Sequence, residues 1–452
     1  MAHAPQENPG ETAENEAAHP LARALGLRAG EALPALLGGL TIFVFFTGWG
    51  MVRPLRDAMG VERGFGDMPW LITATMAFSL LVSPVVAWAL KRWGRSGADG
   101  GAGRRRLVSK VYRFFACNLL LFALAKWLVP EAQRYMVGYA FFVWASVFNM
   151  TCVSVFWGLM ADVFPRERSL RAYGLVALGA TLGMLAGATA AKEMAGARLP
   201  AWVFMLALAA GLEVAARLAN ATGRRTLYAG GALPAGLAGK REGADVKGGG
   251  VFSGIGAVAR SPMLLGVCGY LLIYTVTSTF FWLIQQRVVM EAAADQSART
   301  ALNATIDQWA NLATLAVQLL LTGRVLRAIG PSGALATTPL VTLAGLVWMG
   351  QSPAVGTVIP AVVTRRTVHY GVDRPGREAL YTVIPPEQKY TAKSFIDTFV
   401  YRGGDVLGAW LETALRSSSV PLVWFAAPLC LIGAGLGVWL GRVSQERESE
   451  RA

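Results

Sequence analysis

Three ionisable residues stand at the end of the first long apolar block of the sequence, where charged groups are costly. Arg53, Arg56 and Asp57 lie within a few residues of each other, around Pro54. If a helix continues through the proline, the three side chains share a face, because residues three and four apart are neighbours on a helix. Planar guanidinium groups suit phosphate or carboxylate, and the proline can mark a gating bend. The alternative is a helix end that is only anchored at the membrane surface.

A second set of ionisable residues lies between positions 374 and 405. We predict substrate-binding or gating roles for seven of them, which are Arg377, Glu378, Lys393, Asp397, Tyr401, Arg402 and Asp405. Four of these recur every four residues (Lys393, Asp397, Tyr401 and Asp405), so a continuous α-helix would align them as one polar stripe. Because the neighbouring residues are apolar, this stripe should face a cavity instead of lipid. The part around Lys389 is equally consistent with an ordinary solvated loop.

The remaining charges inside apolar blocks are scattered, and we expect most of them to pair structurally. They are Arg113, Asp162, Glu213, Arg217, Asp307, Arg365 and Arg366. Glu213 and Arg217 have the i,i+4 spacing at which opposite charges neutralise each other. Asp162 lies four residues before Arg166, so the two are candidates for a latch between helices that contributes to gating.

Twelve apolar blocks are available to position these side chains. The chain is 54% hydrophobic and only 15% charged, and its mean hydropathy is +0.43. Blocks of about 20 apolar residues are what a helix needs to cross a bilayer. The predicted spans are Leu33–Val52, Trp70–Leu90, Val111–Val129, Tyr135–Phe164, Arg171–Glu193, Pro200–Ala219, Met263–Gln285, Ala301–Thr322, Gly333–Gly350, Ala354–Tyr370, Phe395–Leu415 and Pro421–Gly441. The fold class is therefore an all-α, multi-pass membrane protein, with Arg365 and Arg366 interrupting the tenth span.

The basic residues predict the orientation of these spans. Lys and Arg concentrate in alternate loops, including 91–110 and the central loop, and basic loops stay cytoplasmic. Both termini are then cytoplasmic, in a membrane that we expect to be a bacterial inner membrane. The predicted organisation is a disordered tail (1–30), a six-helix bundle (31–219), a cytoplasmic loop (220–260), a second six-helix bundle (261–441) and a short tail (442–452). The net charge of +14 is thereby explained without nucleic-acid binding.

Several classes of chemistry lack the residues they need. The four cysteines lie in apolar blocks without a CxxC spacing, and there are three histidines, so we expect no metal site and no cofactor. No GxxxxGK[ST] loop is present, which disfavours an ATP-driven pump. Neither a nucleophile elbow nor an HExxH pair is present, so an enzymatic role has no anchor.

A local repeat relates the two groups of six spans. The segment Val163–Ala172 matches the segment Val383–Ala392, with Val, Pro, Glu and Ala at the same offsets, and Gly183 then corresponds to Gly403. Both copies occupy the turn between the fourth and fifth span of their half. A parallel two-fold repeat of six spans is typical of the major facilitator architecture, in which two halves rock about a central site.

Two segments carry a family resemblance. The stretch from Arg374 through Glu378, Lys389, Lys393 and Asp397 to Arg402-Gly403-Gly404, and the end of the first span at Arg53, Arg56 and Asp57, resemble the ATP/ADP antiporters of plastids and intracellular bacteria. The resemblance implies a nucleotide-type substrate, with Arg53, Arg56, Glu378, Lys393 and Asp397 as candidate positions.

The sequence therefore predicts a secondary transporter, expected to be a monomer, for an anionic metabolite such as ATP, ADP or another nucleotide. We predict substrate binding by Arg53, Arg56, Lys393, Tyr401 and Arg402, and coupling or gating by Asp57, Asp162, Arg377, Glu378, Asp397 and Asp405. The alternatives are a facilitator-type exporter of another solute, such as a drug or an organic acid, and a membrane scaffold that does not transport.

Overall fold

A computed structural model describes residues 32–94, 102–164, 166–229, 253–381, 384, 392–393, 395–418 and 421–450. Twelve long helical segments are present there, and no strand occurs in these ranges. They are α1 (Ala32–Gly60), α2 (Met68–Gly94), α3 (Ala102–Leu128), α4 (Arg134–Val163), α5 (Arg166–Gly196), α6 (Ala201–Ala229), α7 (Pro262–Ala292), α8 (Gln296–Leu320), α9 (Thr322–Gln351), α10, α11 and α12 (Leu422–Ser449). The predicted N-terminal tail and most of the predicted central loop lie outside the described residues.

Helices α10 and α11 each contain a π-helical turn, in which one extra residue is accommodated. α10 consists of Val355–Val368, the π turn His369–Asp373 and the segment Arg374–Leu380. α11 begins with the π turn Ile396–Val400 and continues as Tyr401–Ser417. Such turns occur frequently at functional sites.

The helices confirm the predicted class of an all-α, multi-pass membrane protein. Nine of the described helices are long and apolar enough to cross a bilayer by themselves. The other three long helices are α8, α10 and α11, which carry ionisable residues such as Asp307, Arg365 and Asp405. Large apolar side chains such as Leu81, Trp127 and Trp424 are more than 60% exposed on the outer surface, where lipid would cover them.

Several helices extend beyond the predicted spans. α1 continues through Pro54 to Gly60, so Arg53, Arg56 and Asp57 lie inside a helix. α6 runs to Ala229, and a short helix at Ser253–Ala259 precedes α7, so the predicted central loop is helical at both ends. In these helices the apolar stretch ends before the helix itself, because the part of a helix outside the bilayer does not need apolar residues.

Each half packs in the same pattern. α1 contacts α5 and α6 as α7 contacts α11 and α12, and α3 lies against α6 as α9 lies against α12. The halves meet through two equivalent pairs, α2 with α11 and α5 with α8, and α8 also contacts α1. Each of these helices therefore makes the same contacts as the helix six positions later in the chain, which agrees with a repeat of six spans.

Glycines allow the closest of these helix contacts. A Cβ on Gly183 or Gly187 of α5 would lie 2.4 Å or 2.2 Å from a backbone carbonyl of α1. In the second half, a Cβ on Gly404 of α11 would lie 1.8 Å from Thr275 Oγ1 of α7, and one on Gly408 would lie 2.9 Å from Thr279 Cβ. Small residues at four-residue spacing let membrane helices approach in this way.

These contacts correct the predicted repeat by one residue. A Cβ on Gly403 would have no heavy atom within 4 Å, so Gly404, not Gly403, is the counterpart of Gly183. The π turn Ile396–Val400 lies between the matched segment and this glycine. Because such a turn holds one extra residue, the offset between the halves grows by one beyond it.

The two halves close against each other at one end of the bundle. We call this the distal end, because the beginning of α1 and the end of α12 lie at the other, terminal end. Val61, Met68, Leu71 and Phe142 of the first half form a buried apolar cluster with Leu283 of the second half. Trp410 of α11 packs edge-on against Trp70 at a centroid distance of 5.0 Å, and its Nε1 donates a hydrogen bond of 3.1 Å to Thr73.

An ionic contact lies in the same region. Arg287 of α7 and Arg416 of α11 both bind Glu412. Their guanidinium groups lie 5.1 Å and 5.9 Å from the ring of Phe65, which belongs to the turn between α1 and α2. The distal end is therefore sealed by apolar packing and by cation–π contacts across the halves.

Candidate functional site

A cavity of about 260 Å³ lies between the two halves, below the distal seal. Its wall is formed by α1, α2 and α4 of the first half and by α7, α10 and α11 of the second. The lining residues are Arg53, Arg56, Ile72, Thr75, Phe142, Ser146, Tyr274, Ser278, Thr279, Phe281, Trp282, Gln285, Val362, Arg365, Arg366, His369, Tyr370, Tyr401, Arg402 and Asp405. Five arginines and one carboxylate thus face a space shared by both halves.

Arg56 is held rigidly on the wall of the first half. Its Nε and Nη2 donate hydrogen bonds of 3.0 Å and 2.7 Å to Oδ1 of Asp57, and its Nη1 donates one of 3.2 Å to Ser146 Oγ. The guanidinium group also lies 4.6 Å from the ring centroid of Phe142. Asp57 is buried and compensates this charge, so Arg56 contributes a fixed donor geometry more than a free charge.

Asp307 of α8 joins the two halves through arginines. Arg366 of α10 donates from Nη1 to its Oδ1, and Arg53 Nη1 of α1 lies 3.8 Å from its Oδ2. Arg366 Nη2 also donates to Gln285 Oε1, at 3.4 Å. Asp307 is only 3% exposed, and a buried carboxylate of this kind needs the positive partners that surround it.

Arg365 is the lining arginine without a carboxylate within 4 Å among the described residues. Its Nε donates to Thr342 Oγ1 at 3.0 Å, and its guanidinium group lies 5.3 Å and 5.1 Å from the rings of Tyr274 and Phe281. The residue is 6% exposed, and its Nη2 is buried without a hydrogen-bond partner in the described part of the chain. A buried, uncompensated guanidinium group is costly, so a ligand that supplies negative charge would be bound strongly there.

The α11 side of the cavity carries Tyr401, Arg402 and Asp405. Arg402 Nη1 lies 3.7 Å from Asp405 Oδ2, and Thr279 Oγ1 donates to Asp405 Oδ1 at 3.4 Å. The Tyr401 ring lies 6.1 Å from that of Tyr274. The π turn that precedes Tyr401 sets which of these residues faces the cavity.

A buried hydrogen-bonded group lies behind the α10 wall. His369 lines the cavity, and its Nδ1 lies 2.9 Å from Oδ2 of Asp373, which is fully buried. Asp373 Oδ1 also makes a hydrogen bond with the hydroxyl of Tyr270, and that hydroxyl lies 2.8 Å from the Leu335 carbonyl oxygen. The Tyr274 ring stacks on the imidazole at 4.3 Å. These contacts fix the orientation of His369 at the cavity surface.

The structure separates the residues predicted from the sequence into three groups. Arg53, Arg56, Tyr401, Arg402 and Asp405 line the cavity, and Asp57 lies directly behind Arg56. Lys393 and Glu378 are not among the lining residues; they form an ion pair of 2.6 Å with each other. The third group consists of Arg377, which is buried without lining the cavity, and of Asp162 and Asp397, whose side chains lie outside the described part.

The polar stripe predicted from Lys393 to Asp405 is not continuous. The π turn Ile396–Val400 interrupts the four-residue spacing, so Lys393 reaches Glu378 while Tyr401 and Asp405 reach the cavity. The expected pairing of Glu213 with Arg217 is present at 2.8 Å, and Arg113 joins the same carboxylate.

Sequence reasoning assigned no site role to Asp307, Arg365, Arg366 and His369. We expect the first three to pair structurally; Asp307 does pair with Arg366 and links it to Arg53 of α1, whereas Arg365 has no such partner, and both arginines of α10 line the cavity. The sequence does draw attention to Asp307, Arg365 and Arg366, because charged side chains inside a membrane span mark transport pathways. Nothing in the sequence around His369 distinguishes it as a site residue, apart from its being a histidine. The described residues contain no cluster of His, Cys, Asp and Glu able to hold a metal ion.

Comparisons with known proteins agree on the fold. No protein-family model matches the chain, and no protein of curated function matches its sequence. Solved structures do match. The nucleoside transporter NupG, as a single-residue mutant, has a TM-score of 0.55 at 11% identity, over 92% of this chain and 99% of that one. A bacterial homologue of the human lysosomal transporter Spinster, inward-facing and unoccupied, has a TM-score of 0.51 at 12% identity, over 92% and 98% of the two chains.

Neither NupG nor the Spinster homologue is an ATP/ADP antiporter. The similarity of this chain to the ATP/ADP antiporters is therefore limited to two sequence segments. The agreement extends over nearly the whole of both chains. The chain has the fold of the major facilitator transporters.

Proposed function

We propose that the protein is a secondary transporter that carries an anionic small metabolite, nucleotide-like or phosphorylated, across the membrane by alternating access. Arg365 is the observation that carries this proposal. It combines a buried charge, a hydrogen bond that fixes its orientation and a position on the wall of a cavity between the two halves. An anionic group of the substrate is the partner that it lacks among the described residues.

The charge balance of the cavity supports an anion. Five arginines line it, and three carboxylates compensate them: Asp405 on the wall, and Asp57 and Asp307 behind it. Five positive and three negative charges leave two positive charges without compensation. A substrate with about two negative charges, such as a phosphate monoester, would neutralise this site.

The aromatic and amide side chains of the wall suit the rest of such a molecule. Trp282 is a partly exposed aromatic ring on which a base can stack, and Gln285 and Ser278 are hydrogen-bonding groups. The cavity volume lies near the lower end of ligand pockets, about 300–1,000 Å³, which favours a compact substrate. The similarity in fold to a nucleoside transporter is compatible with a substrate that contains a base.

The distal seal supports alternating access. Closing one end of a cavity between two halves is one of the two states that such a mechanism requires. If both termini are cytoplasmic, as the basic loops predict, the seal faces away from the cytoplasm and the protein is in its inward-facing state. A scaffold without transport would have no need for a charged cavity, whereas a facilitator-type exporter of another solute, such as a drug or an organic acid, is the second candidate to be tested.

Uptake into proteoliposomes tests the proposal. We expect labelled AMP, ADP, ATP, GTP or NAD to enter vesicles that contain the purified protein and not protein-free vesicles. In Arg365→Gln, the loss of a charged hydrogen bond, about 1.5–3 kcal/mol, should raise the half-saturation concentration at least tenfold. Arg365→Lys keeps the charge and loses the planar donors, so we expect a smaller increase.

Arg327→Gln is the matched control. Arg327 is an exposed arginine of α9 outside the cavity lining, and its substitution should leave uptake unchanged. If none of the five nucleotides is transported, the nucleotide version of the proposal is wrong. If a neutral solute is transported and Arg365→Gln transports it as well as the natural protein does, the anionic substrate is wrong altogether.

A further inference from the structure

We propose that transport is coupled to protons and that the coupling proton binds at the Asp373–His369 pair of α10. This inference rests on the proposed transport of an anion through the adjacent cavity. It starts from a geometric fact: one buried carboxyl group is linked by hydrogen bonds both to a side chain on the cavity wall and to a phenol deeper in the protein.

Asp373 can hold a proton with its hydrogen bonds satisfied in either state. When Asp373 is ionised, Nδ1–H of His369 donates to Oδ2 and the Tyr270 hydroxyl donates to Oδ1. When Oδ2 carries a proton, it donates to the unprotonated Nδ1 of the other imidazole tautomer. The Tyr270 hydroxyl can then turn to the Leu335 carbonyl oxygen, which is 2.8 Å away. No heavy atom needs to move.

His369 gives this buried carboxyl a route to the cavity. A proton from cavity water adds to Nε2, and the proton on Nδ1 passes to Oδ2 of Asp373. The imidazole returns to neutrality as its Nε2–H tautomer, and Asp373 becomes a neutral acid, so one proton has entered the site and none has been lost. Histidine serves as a proton shuttle because its two ring nitrogens can exchange these roles.

The surroundings link this proton to the anion. Arg365 lies two helical turns before Asp373, and Arg377 lies one turn after it on the same helix. Neither arginine has a carboxylate within 4 Å among the described residues, and Nη1 of Arg377 is buried without a partner there. Asp373 is thus the negative charge of this part of the wall, and its neutralisation leaves two positive charges to attract the substrate.

The other groups that face the pair are polar but uncharged. α7 contributes the hydroxyl of Tyr270 and the stacked ring of Tyr274, and α10 itself contributes Tyr370, whose ring lies 4.8 Å from the imidazole. α11 contributes Tyr401 next to Tyr274, and α9 contributes the Leu335 carbonyl and Thr322, which bonds Gly371 O. Gln318 of α8 binds the Tyr370 carbonyl.

The strength of the coupling between proton and anion depends on the distance between Asp373 and the anion bound at Arg365. Two turns of helix separate a charge at Asp373 from an anion at Arg365 by about 11–12 Å. At an effective permittivity of about 20, removing one unit charge at that distance changes the binding of a singly charged anion about tenfold. By reciprocity, the bound anion favours proton binding by the same factor, so anion and proton would move together.

Proton movement during AMP uptake tests the inference. Vesicles loaded with a pH-sensitive dye should acidify inside when labelled AMP enters, at a fixed ratio of protons to AMP. In Asp373→Asn and His369→Gln, we expect the ratio to fall at least tenfold, whatever the remaining rate of AMP uptake. Asp295→Asn is the control: Asp295 caps the start of α8 through a bond of 2.7 Å to Ala298 N, a role that Asn fills equally well.

A second measurement does not depend on transport or on the substrate. The reconstituted protein should show an infrared band of a protonated carboxyl group that appears on acidification and is missing in Asp373→Asn. Tyr270→Phe, which removes one hydrogen bond and keeps the packing, should shift this band.

The outcomes separate the two proposals. AMP uptake without acidification, or a normal proton ratio in Asp373→Asn, would overturn proton coupling at this pair and leave anion transport standing. Without any nucleotide uptake the proposed nucleotide transport fails, and the infrared band then decides the proton site alone: an identical pH-dependent spectrum in Asp373→Asn refutes it.

Discussion

Replacing Asp307 by asparagine removes the carboxylate that two arginines from different halves share. Arg366 donates to one of its oxygens, and Arg53 lies 3.8 Å from the other. At an effective permittivity of about 20, a pair at that separation attracts by about 4 kcal/mol before desolvation is counted. Removing one partner of a buried ion pair typically costs about 3–5 kcal/mol, because the remaining charge stays buried. We expect Asp307→Asn to lower the free energy of unfolding by about that amount.

A double-mutant cycle isolates the shared interaction. In Arg366→Gln, Asp307 retains Arg53, so we expect a smaller loss of stability than in Asp307→Asn. In the double variant the two losses should not add, and the interaction energy should be about 2 kcal/mol, within the usual range of about 0.5–3 kcal/mol for residues in contact. Unfolding in detergent micelles can be followed by tryptophan fluorescence over a denaturant series, with Asp295→Asn as the control.

Additive losses would refute this reasoning. If the double variant loses the sum of the two single losses to within about 0.5 kcal/mol, Arg366 and Asp307 contribute independently. The shared carboxylate would then not compensate Arg366, and the charge balance used for the cavity would have to be revised toward more free positive charge.

Two further predictions concern helix packing and the second predicted cluster. Gly183→Ala should destabilise the protein by about 1–3 kcal/mol, because the new methyl group would lie 2.4 Å from the Phe43 carbonyl oxygen of α1. Gly174→Ala on the same helix meets no atom within 4 Å and should be neutral or slightly stabilising; equal thermal shifts for the two would contradict the close contact. Lys393→Gln should change the half-saturation concentration for AMP far less than Arg365→Gln does. The partly exposed Lys393–Glu378 ion pair contributes about 1 kcal/mol or less to stability. If Lys393→Gln weakens AMP uptake as much as Arg365→Gln does, Lys393 takes part in substrate binding.

The sequence was sufficient to predict the all-α, multi-pass class and its long helices, because the length of an apolar span depends on local composition. Five residues with predicted site roles line the cavity, since a charge inside an apolar block has few alternatives to facing the protein interior: Arg53, Arg56, Tyr401, Arg402 and Asp405. These residues are recognisable from type and position alone.

Which arginine lacks a partner could not be predicted. Arg365 and Arg366 are adjacent in the sequence, but Arg366 meets Asp307 of α8 while Arg365 points between Tyr274 and Phe281 of α7. That difference depends on how helices pack, which no spacing within one helix reveals. For the same reason, His369 looked isolated until the fold brought Tyr270 and Tyr274 beside it.

The π turn at the start of α11 has a consequence for the geometry of the second half. One additional residue rotates everything after it by about 100° around the helix axis relative to an uninterrupted α-helix. Lys393, which precedes the turn, and Tyr401 and Asp405, which follow it, therefore face different directions. Tyr401 and Asp405 meet the cavity because of an insertion in the backbone, and any comparison of the two halves needs a gap there.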